Sequence, residues 1–545
     1  MTSRKILSVL TIGGVLCVNL MILASSDLVP QQAAETITAD ELRSIVYFLA
    51  SDAMQGRDTG SFTNEITTNY LAHRLEELNL LPAGDRESYF QEFTLIQSGL
   101  GEGNSLTLNS DTDSPVKPDL GKDFFPARLS SSGTATGQLV FVGYGITAPE
   151  LNYDDYAEVN AKGKVAVVLT GEPGMNDPES PFDGILFTDY SRELEKILNA
   201  QRHGASGVLL VPTDSNIERR FSQTWPENIT QSAYTLEVWL NQVGIPAGYV
   251  SPKLLEDSLP PEVESFSDLR DQIDSSYKPV VFESAVWASL ETDFKRERTL
   301  SRNVLAYLPG SDPALREEIV IIGAHLDHVG RDDETSIYNG ADDNASGTAG
   351  VLEIAEAFTL NVNRPQRTIL FAFWNAEEQG LLGSRFYVES PVFSLDRTVA
   401  VFQLDMIGRN QEVPNPENAR FKGLEKQTAA ENNETLNVLG YSRSQDMREL
   451  AERSNLQVGL RMKFELDETP LHLLMRSDHW PFLARGIPVL FFTTGLHPQY
   501  HTPQDTADLL NYPKMERVAR LTFFAVWELA NSTSRPRLNA TRVVQ

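Results

Sequence analysis

Four short apolar runs mark the second half of the chain, at 319–322, 367–374, 399–404 and 487–493. The first consists of four β-branched residues in a row, which is typical of a strand buried on both faces, as in a parallel sheet. A helical pattern follows Gly347, with apolar residues at Val351, Ile354, Ala355 and Phe358. This part of the chain therefore alternates predicted buried strands with helix.

Each apolar run leads into acidic residues or histidine at its carboxyl end. The run at 319–322 is followed by His325, Asp327 and His328. In open α/β sheets, ligands bind in the crevice outside the carboxyl ends of the strands. A neutral imidazole there suits a borderline metal such as zinc, and a carboxylate two residues away can fix its tautomer.

The acidic segment 342–346, which precedes the helical pattern, has two interpretations. Alone, it is equally well explained as the cap of that helix. The other strand ends favour a metal site, because they carry Glu377-Glu378, Asp405 and His501. Adjacent carboxylates after a buried strand are unfavourable in a core, and their repulsion requires a cation or an ordering partner.

Five ordered blocks resemble the co-catalytic zinc aminopeptidase family M28. They are His-x-Asp at 325–327, Gly-Ala-Asp-Asp-Asn-Ala-Ser-Gly at 340–347, Glu-Glu at 377–378, Asp at 405 and Tyr-His-Thr-Pro at 500–503. The resemblance implies a zinc exopeptidase fold: an α/β domain with a mixed, mostly parallel sheet flanked by helices. It also implies two zinc ions per chain.

The resemblance assigns the five metal ligands by position. Asp343 is expected to bridge the two ions, His325 and Asp405 to complete one site, and Glu378 and His501 to complete the other. It also implies a cis peptide bond after Asp343. Each zinc would then have three protein ligands and room for a water molecule, which two metals can activate.

The same resemblance implies the remaining roles. Glu377 is expected to act as general base, since it adjoins a ligand without being one. Asp327 is expected to orient His325, and Tyr500 to polarise the scissile carbonyl. The segment expected to line the substrate pocket contributes Arg476, Asp478 and Phe482. We expect the other histidines of this region to lie behind the ligands or at the surface: His328, His472, His479 and His497.

Residues 96–290 differ in character, with short β-type runs at 138–142, 164–169, 207–211 and 278–282. The stretch FVGYG at 141–145, with the runs that follow, resembles a protease-associated (PA) domain. We therefore predict a β-rich PA domain at 96–290, inserted between peptidase segments at 36–95 and 291–535. The Gly-Tyr-Gly of 143–145 is a weak nucleotide-loop signal, because it lacks a third glycine.

The N-terminus predicts export. Arg4 and Lys5 precede an apolar run at 6–23 and small residues at 24–26, as in a secretory signal peptide at 1–26. An uncleaved membrane anchor is the alternative, because the run approaches the length that spans a bilayer. After cleavage we expect a periplasmic or extracellular bacterial protein without stable membrane insertion. Cys17 is the only cysteine, so the mature chain would have no thiol nucleophile or thiolate ligand.

The composition of the chain limits the classes of molecule that it can bind. The formal net charge of −29 disfavours nucleic acid, because binding to phosphates needs a basic surface. The leading hypothesis is an exported aminopeptidase that removes N-terminal residues from peptides. The alternatives are a carboxypeptidase or dipeptidase on the same scaffold, a binding relative that lost catalysis, and a single-zinc glutaminyl cyclase. Glu377, the five ligands and the paired glutamates argue against the last two.

Overall fold

The computed structural model describes residues 30–109, 114–175, 177–184, 186–212, 234–332 and 335–539. The predicted signal peptide, with Cys17, lies outside these residues. Among the helices of the described chain, none is long and apolar enough to cross a membrane.

A ten-stranded sheet forms the larger half of the molecule. Its order is β10-β2-β13-β15-β14-β16-β19-β17-β18, with β1 paired to β13. The strands are β1 (Leu81–Pro82), β2 (Phe90–Leu100), β10 (Tyr234–Leu236), β13 (Phe294–Leu308), β14 (Ile319–His325), β15 (Thr368–Trp374), β16 (Thr398–Leu404), β17 (Thr435–Leu439), β18 (Arg461–Lys463) and β19 (Val489–Thr493).

The centre of this sheet is parallel. Strand β14 runs parallel to β15 and β16, and β16 runs parallel to β19. All seven residues of β14 are buried, which explains its continuous apolar sequence, since helices cover both faces. Antiparallel strands flank this centre, for example β13 beside β15 and β17 beside β19. The predicted mixed α/β sheet is confirmed, but its parallel part is confined to the centre and one edge pair.

Helices cover both faces of the large sheet. One face packs against the helices Gly347–Leu360 (α7) and Tyr512–Ala530 (α11), whose apolar residues share a cluster with β14 and β15. The helices of the chain are α1 (Pro30–Glu35), α2 (Ala39–Leu49), α3 (Phe62–Glu77), α4 (Glu193–Arg202), α5 (Glu237–Leu240), α6 (Phe266–Ser276), α7 (Gly347–Leu360), α8 (Leu382–Glu389), α9 (Gln445–Asn455), α10 (Trp480–Leu483) and α11 (Tyr512–Ala530).

A separate seven-stranded sheet has the order β3-β12-β5-β8-β9-β11-β4. Its strands are β3 (Ser105–Asn109), β4 (Phe124–Pro126), β5 (Gly133–Val142), β8 (Val165–Leu169), β9 (Gly207–Val211), β11 (Ala247–Val250) and β12 (Val281–Thr292). The short strands β6 (Thr147–Ala148) and β7 (Tyr153–Asp154) pair only with each other among the described residues. The predicted boundaries at 95/96 and 290/291 remain predictions, and β2 runs across the first of them within the large sheet.

The two sheets share an apolar cluster. Phe93 and Leu95 of β2 belong to the same buried group as Val140 and Val142 of β5 and Ile197 of α4. Strand β10 lies in sequence between β9 and β11 of the second sheet, but it pairs with β2 of the large sheet. It therefore adds a second connection between the two sheets. The second sheet is therefore packed onto the first through apolar residues.

Candidate metal centre

The candidate site lies where neighbouring parallel strands end. His325 is the last residue of β14, Glu377 and Glu378 follow β15, and Asp405 follows β16. The loop after β19 brings His501. Because the carboxyl ends of parallel strands meet at one edge, residues distant in sequence converge there.

The first ligand group consists of His325, Asp343 and Asp405. The Nε2 atom of His325 lies 3.2 Å from Asp343 Oδ1 and 3.4 Å from Asp405 Oδ1. All three side chains are buried. This group brings together one imidazole and two carboxylates, the set that the resemblance implies for one zinc site.

The second group consists of His328, Asp343, Glu378 and His501. His501 Nε2 lies 2.9 Å from Asp343 Oδ2 and 3.2 Å from Glu378 Oε2. His328 Nδ1 lies 2.7 Å from Glu378 Oε1. His328 is fully buried, so it is not a surface residue. Its Nδ1 contact with Glu378 suits either a position behind the ligands, as expected, or a place in the group itself.

Asp343 connects the two groups. Its Oδ1 faces His325, and its Oδ2 faces His501. The peptide bond between Asp343 and Asn344 is cis, as the resemblance implied. Asp505 supports this segment, because its carboxylate accepts the backbone N–H groups of Asp342 and Asp343.

Asp327 has a different contact from the one predicted. The Nδ1 atom of His325 lies 3.2 Å from the backbone carbonyl oxygen of Asp327 and 4.0 Å from its carboxylate. That carboxylate accepts the backbone N–H groups of Glu377 and Glu378 instead. Since backbone N–H groups point at the carboxylate, Asp327 fixes the turn that carries both glutamates, and its main chain orients the histidine.

An N-terminal loop completes the surroundings of the site, and no motif in the sequence indicates its role. Arg57 is 1% exposed and donates to the carbonyl oxygens of Leu49, Leu326, Asn339 and Gly340 at 2.6–3.1 Å. The nearby Thr59 hydroxyl donates to the Asp327 carboxylate. Apart from Leu49, the partners of Arg57 and Thr59 lie 268–283 positions away in sequence, so no local pattern reveals them.

The surroundings shift the pKa values of two site carboxylates in opposite directions. Burial raises the pKa of Glu377, and the charges of Glu378, Asp478 and Asp405 add to this effect. Burial opposes the ionised form of Asp343 as well, but hydrogen bonds from His325 and His501 hold its pKa well below the usual range.

A pocket opens beside the two groups, with a cavity volume of about 50 Å³. Its polar side includes Asp343, Glu377, Asp405 and Tyr500. The rest of its lining is mostly apolar, together with the exposed Arg476: Met406, Leu466, Leu473, Arg476, Phe491, Thr493, Gly495 and Leu496. Tyr500, which also stacks on His501 with ring centroids 3.9 Å apart, is therefore placed to contact substrate.

Asp478 and Phe482 do not line this pocket, contrary to the prediction. Both are fully buried. Asp478 accepts a hydrogen bond from the hydroxyl of Ser384, while the Phe482 ring lies against Trp374 and Tyr387. Side chains without exposed surface cannot touch a substrate, so both residues support the site from within the core.

The remaining histidines have structural contacts. His479 is fully buried and its ring nitrogen lies 2.7 Å from the carbonyl oxygen of Leu474, and burial lowers its pKa to about 3. His497 faces the carboxylate of Asp342, and His472 contacts the ring of Phe187. These three agree with the expected supporting positions.

The donor set fits two zinc ions. Imidazole nitrogens and carboxylate oxygens are the ligands that zinc takes in catalytic sites, usually three from the protein. Each group offers at least three, and the two oxygens of Asp343 face different groups.

Comparison with known proteins agrees with this geometry. A family model described as Peptidase family M28 matches residues 303–526, and a PA domain model matches residues 135–254. The resemblance recognised in the sequence is thereby confirmed. The PA match lies inside the predicted segment 96–290.

Several relatives are aminopeptidases. Aminopeptidase YwaD of Bacillus subtilis (strain 168) is 26% identical over 432 residues, which cover 76% of this chain and 75% of the relative. Leupeptin-inactivating enzyme 1 of Streptomyces exfoliatus is 29% identical over 43% of this chain, and the chain spans 50% of its length. Among solved structures, the aminopeptidase from Aneurinibacillus sp. strain AM-1 aligns over 94% of this chain and 97% of its own, at 20% identity and a TM-score of 0.48.

Proposed function

We propose that this chain, a peptidase of family M28 with a PA domain before its catalytic part, is an exported aminopeptidase that uses two zinc ions. One observation carries the proposal: the two carboxylate oxygens of Asp343 face two separate ligand groups. A single-ion site would not need a carboxylate shared in this way. Family membership and the aminopeptidase relatives support a zinc-dependent exopeptidase.

We assign His325 and Asp405 to one ion, Glu378 and His501 to the other, and Asp343 to both. His328 joins the second group, either as a ligand or by donating to Glu378 from Nδ1 at 2.7 Å. The zinc ions would supply Lewis acidity for the activation of water and of the scissile carbonyl.

Glu377 is proposed as the general base. Its side chain lines the pocket, is 10% exposed and keeps a distance of 4.0 Å from His325 Nε2. Its carboxylate would accept a proton from the attacking water and pass it to the leaving amine. Asp327 holds the backbone of Glu377, and Tyr500 would donate a hydrogen bond to the substrate carbonyl oxygen.

The amino end is the proposed point of recognition. The carboxylates of Asp405 and Glu377 line the pocket, where their oxygens would accept hydrogen bonds from a free α-amine. A second candidate, a carboxypeptidase or dipeptidase, is favoured by one residue: Arg476 lines the same pocket and is exposed. Guanidinium groups bind carboxylates in a bidentate manner, so Arg476 would bind the C-terminal carboxylate of such a substrate.

Peptide hydrolysis with selective blocking tests the assignment. The full chain, loaded with zinc, is expected to cleave leucine anilide and C-terminally blocked peptides, and to leave N-acetylated peptides intact. Two zinc ions per chain are expected by atomic emission. Equal cleavage of N-acetylated peptides, or release of residues from the C-terminus, would refute the aminopeptidase proposal.

Export is proposed from the residues at 1–26, which have the basic start, apolar run and small residues of a signal peptide. N-terminal sequencing of the protein from a bacterial host is expected to show a mature chain that begins near Asp27. A membrane-bound chain that still begins at Met1 would favour the anchor.

A further inference from the structure

One segment of the peptidase domain supplies three of the residues that line the substrate pocket. Leu466, Leu473 and Arg476 all line it, and we call residues 466–476 the pocket segment. Most of the pocket segment lies outside helices and strands. Irregular backbone of this kind depends on side-chain contacts for its position.

The inserted PA domain lies close to this segment and is joined to the peptidase domain there by one ion pair, one ring contact and one shared apolar cluster. Asp183, between β8 and α4, accepts two hydrogen bonds from Arg443, at 2.7 and 2.8 Å. The Phe187 ring lies 5.0 Å from the His472 ring. Leu186 is 4% exposed and shares an apolar cluster with Leu466, Leu471 and Leu473.

Arg443 is connected to the pocket segment in turn. Arg443 lies in the loop that follows β17. The buried carboxylate of Asp467 binds the backbone of the same loop. Asp467 accepts the backbone N–H groups of Gly440 and Ser442 and the Ser442 hydroxyl, at 2.6–2.9 Å. Since Asp467 follows Leu466 directly, a continuous set of contacts joins the PA domain to a pocket-lining residue.

We infer that the PA domain sets the position of the pocket segment through the pair formed by Asp183 and Arg443, so that Asp183 is a positioning residue for substrate selection. The inference rests on the proposed aminopeptidase function. Both side chains of the pair are about one-quarter exposed, and a two-pronged guanidinium–carboxylate pair fixes orientation as well as distance. The inserted domain therefore contributes to the pocket without contacting the substrate.

Substitution on either side of the pair tests the inference. In Asp183→Asn and in Arg443→Gln, KM for leucine p-nitroanilide is expected to rise about three- to tenfold, because a partly exposed pair is lost. The kcat and the zinc content are expected to stay near the wild-type values. The double variant is expected to show no larger rise than the single variants, since each one already breaks the pair.

Asp189→Asn is the matched control. Asp189 lies on the same PA loop and faces Arg485 of the peptidase domain at 3.9 Å, but Arg485 does not line the pocket. The control removes the same charge and is expected to leave KM unchanged. If the PA loop only held the two domains together, all three variants would lose thermal stability and KM would not change.

Hydrogen exchange provides a readout that does not depend on activity. The amides of 467–476 are expected to exchange faster in Asp183→Asn and Arg443→Gln, and at the wild-type rate in Asp189→Asn. Wild-type KM and wild-type exchange in a folded Asp183→Asn protein would overturn the inference, even if Arg443→Gln fails to fold. If the wild type cleaves no anilide, the proposed function fails, while the exchange rates still decide the inference.

Discussion

Glu377 and Glu378 are adjacent and chemically identical, but the fold gives them different neighbours. Glu378 lies against two imidazoles, with His328 Nδ1 at 2.7 Å and His501 Nε2 at 3.2 Å. Glu377 reaches the pocket and comes no nearer than 4.0 Å to His325 Nε2. The two carboxylates are therefore placed for different tasks.

Substitution of each glutamate is expected to separate proton transfer from metal binding. Glu377→Gln is expected to keep two zinc ions and to lower kcat by about 10²–10⁴-fold, the usual scale for general acid–base catalysis. KM should change less, because the metal ligands remain. Metal content and kcat on leucine anilide are measured together.

Glu378→Ala is the comparison for this prediction. It is expected to lose one zinc ion and to lose activity with it, because the second group loses a carboxylate. Near-normal turnover in Glu377→Gln with both ions bound would remove the proposed base.

At the residue scale, the sequence predicts those site residues that belong to short motifs. The five proposed ligands stand in blocks that match the family pattern, and four of them follow apolar runs, so the resemblance is enough to propose them. The burial of a side chain depends on distant parts of the chain, so a short motif does not predict it. Asp478 and Phe482 were expected to touch substrate, yet packing against Ser384 and Trp374 removes them from the surface.

At the element scale, the N-terminal loop between α2 and α3 is tied to the metal centre. Arg57 donates to carbonyl oxygens on both sides of the site, those of Leu326 after β14 and Gly340 before Asp343. Burial lowers the pKa of Arg57 to about 10, although nearby carboxylates such as Asp343 oppose this. The guanidinium thus remains charged at neutral pH and joins two ligand-bearing segments.

Loss of this guanidinium is expected to loosen the site and destabilise the fold. Arg57→Met removes the guanidinium donor from four buried carbonyl oxygens, of which, among the described residues, only that of Gly340 keeps another donor, the N–H of Ala345, so the free energy of unfolding should fall by about 3–5 kcal/mol. Zinc affinity should fall as well, because the two segments lose their common anchor. Urea unfolding and competition with a chelator measure both. Arg43→Met, at a half-exposed arginine, is the control, and an equal loss there would contradict the prediction.

Helix α7 carries a buried glutamate away from the metal ligands. Glu353 is 3% exposed, and burial, followed by the charges of Glu41 and Glu356, raises its pKa to about 8 from 4.5. Between these values the folded protein keeps a proton that the unfolded chain has released. Because the folded state binds more protons, its free energy of unfolding falls as pH rises through this window.

Glu353→Gln removes this titration. Its Tm is expected to match that of the wild type near pH 4.5 and to exceed it increasingly up to pH 8. Thermal unfolding at several pH values measures the difference. Glu356→Gln is the comparison on the same helix, at a carboxylate that is 30% exposed and 3.7 Å from Arg74. It removes one lesser cause of the raised pKa of Glu353 and leaves the burial unchanged, so most of the wild-type pH slope should remain. The same pH slope in both variants would show that burial of Glu353 is not the cause.

Strand and helix types at this scale were predictable where the pattern is strong. The apolar run at 319–322 became the fully buried strand Ile319–His325. The order of strands was not predictable, because it depends on crossovers between distant segments. Strand β10 illustrates this point: it lies within the predicted PA segment but pairs with β2 of the large sheet.

At the scale of the whole molecule, the two sheets share apolar residues on facing surfaces. Phe93 and Leu95 of the large sheet are buried with Val140 and Val142 of the second. Domains joined by a polar contact move and unfold separately, whereas a hydrophobic interface resists separation. We therefore expect both sheets to unfold in one transition.

Removal of zinc is expected to lower the temperature of that single transition. The chain has a net charge of −29, and its centre gathers buried carboxylates, among them Asp327, Asp343 and Asp405. Without cations these charges repel one another, and the stabilisation from ligand binding is lost, which amounts to about 4 kcal/mol per site at a zinc concentration of 1,000 Kd. For a chain of this size, Tm should fall by about 5–10 °C on treatment with a chelator, and added zinc should restore it.

Calorimetry measures this change in Tm. Glu378→Ala is the comparison, since its Tm should respond less to chelation. Two transitions, of which only one responds to zinc, would show that the PA domain unfolds independently of the metal centre.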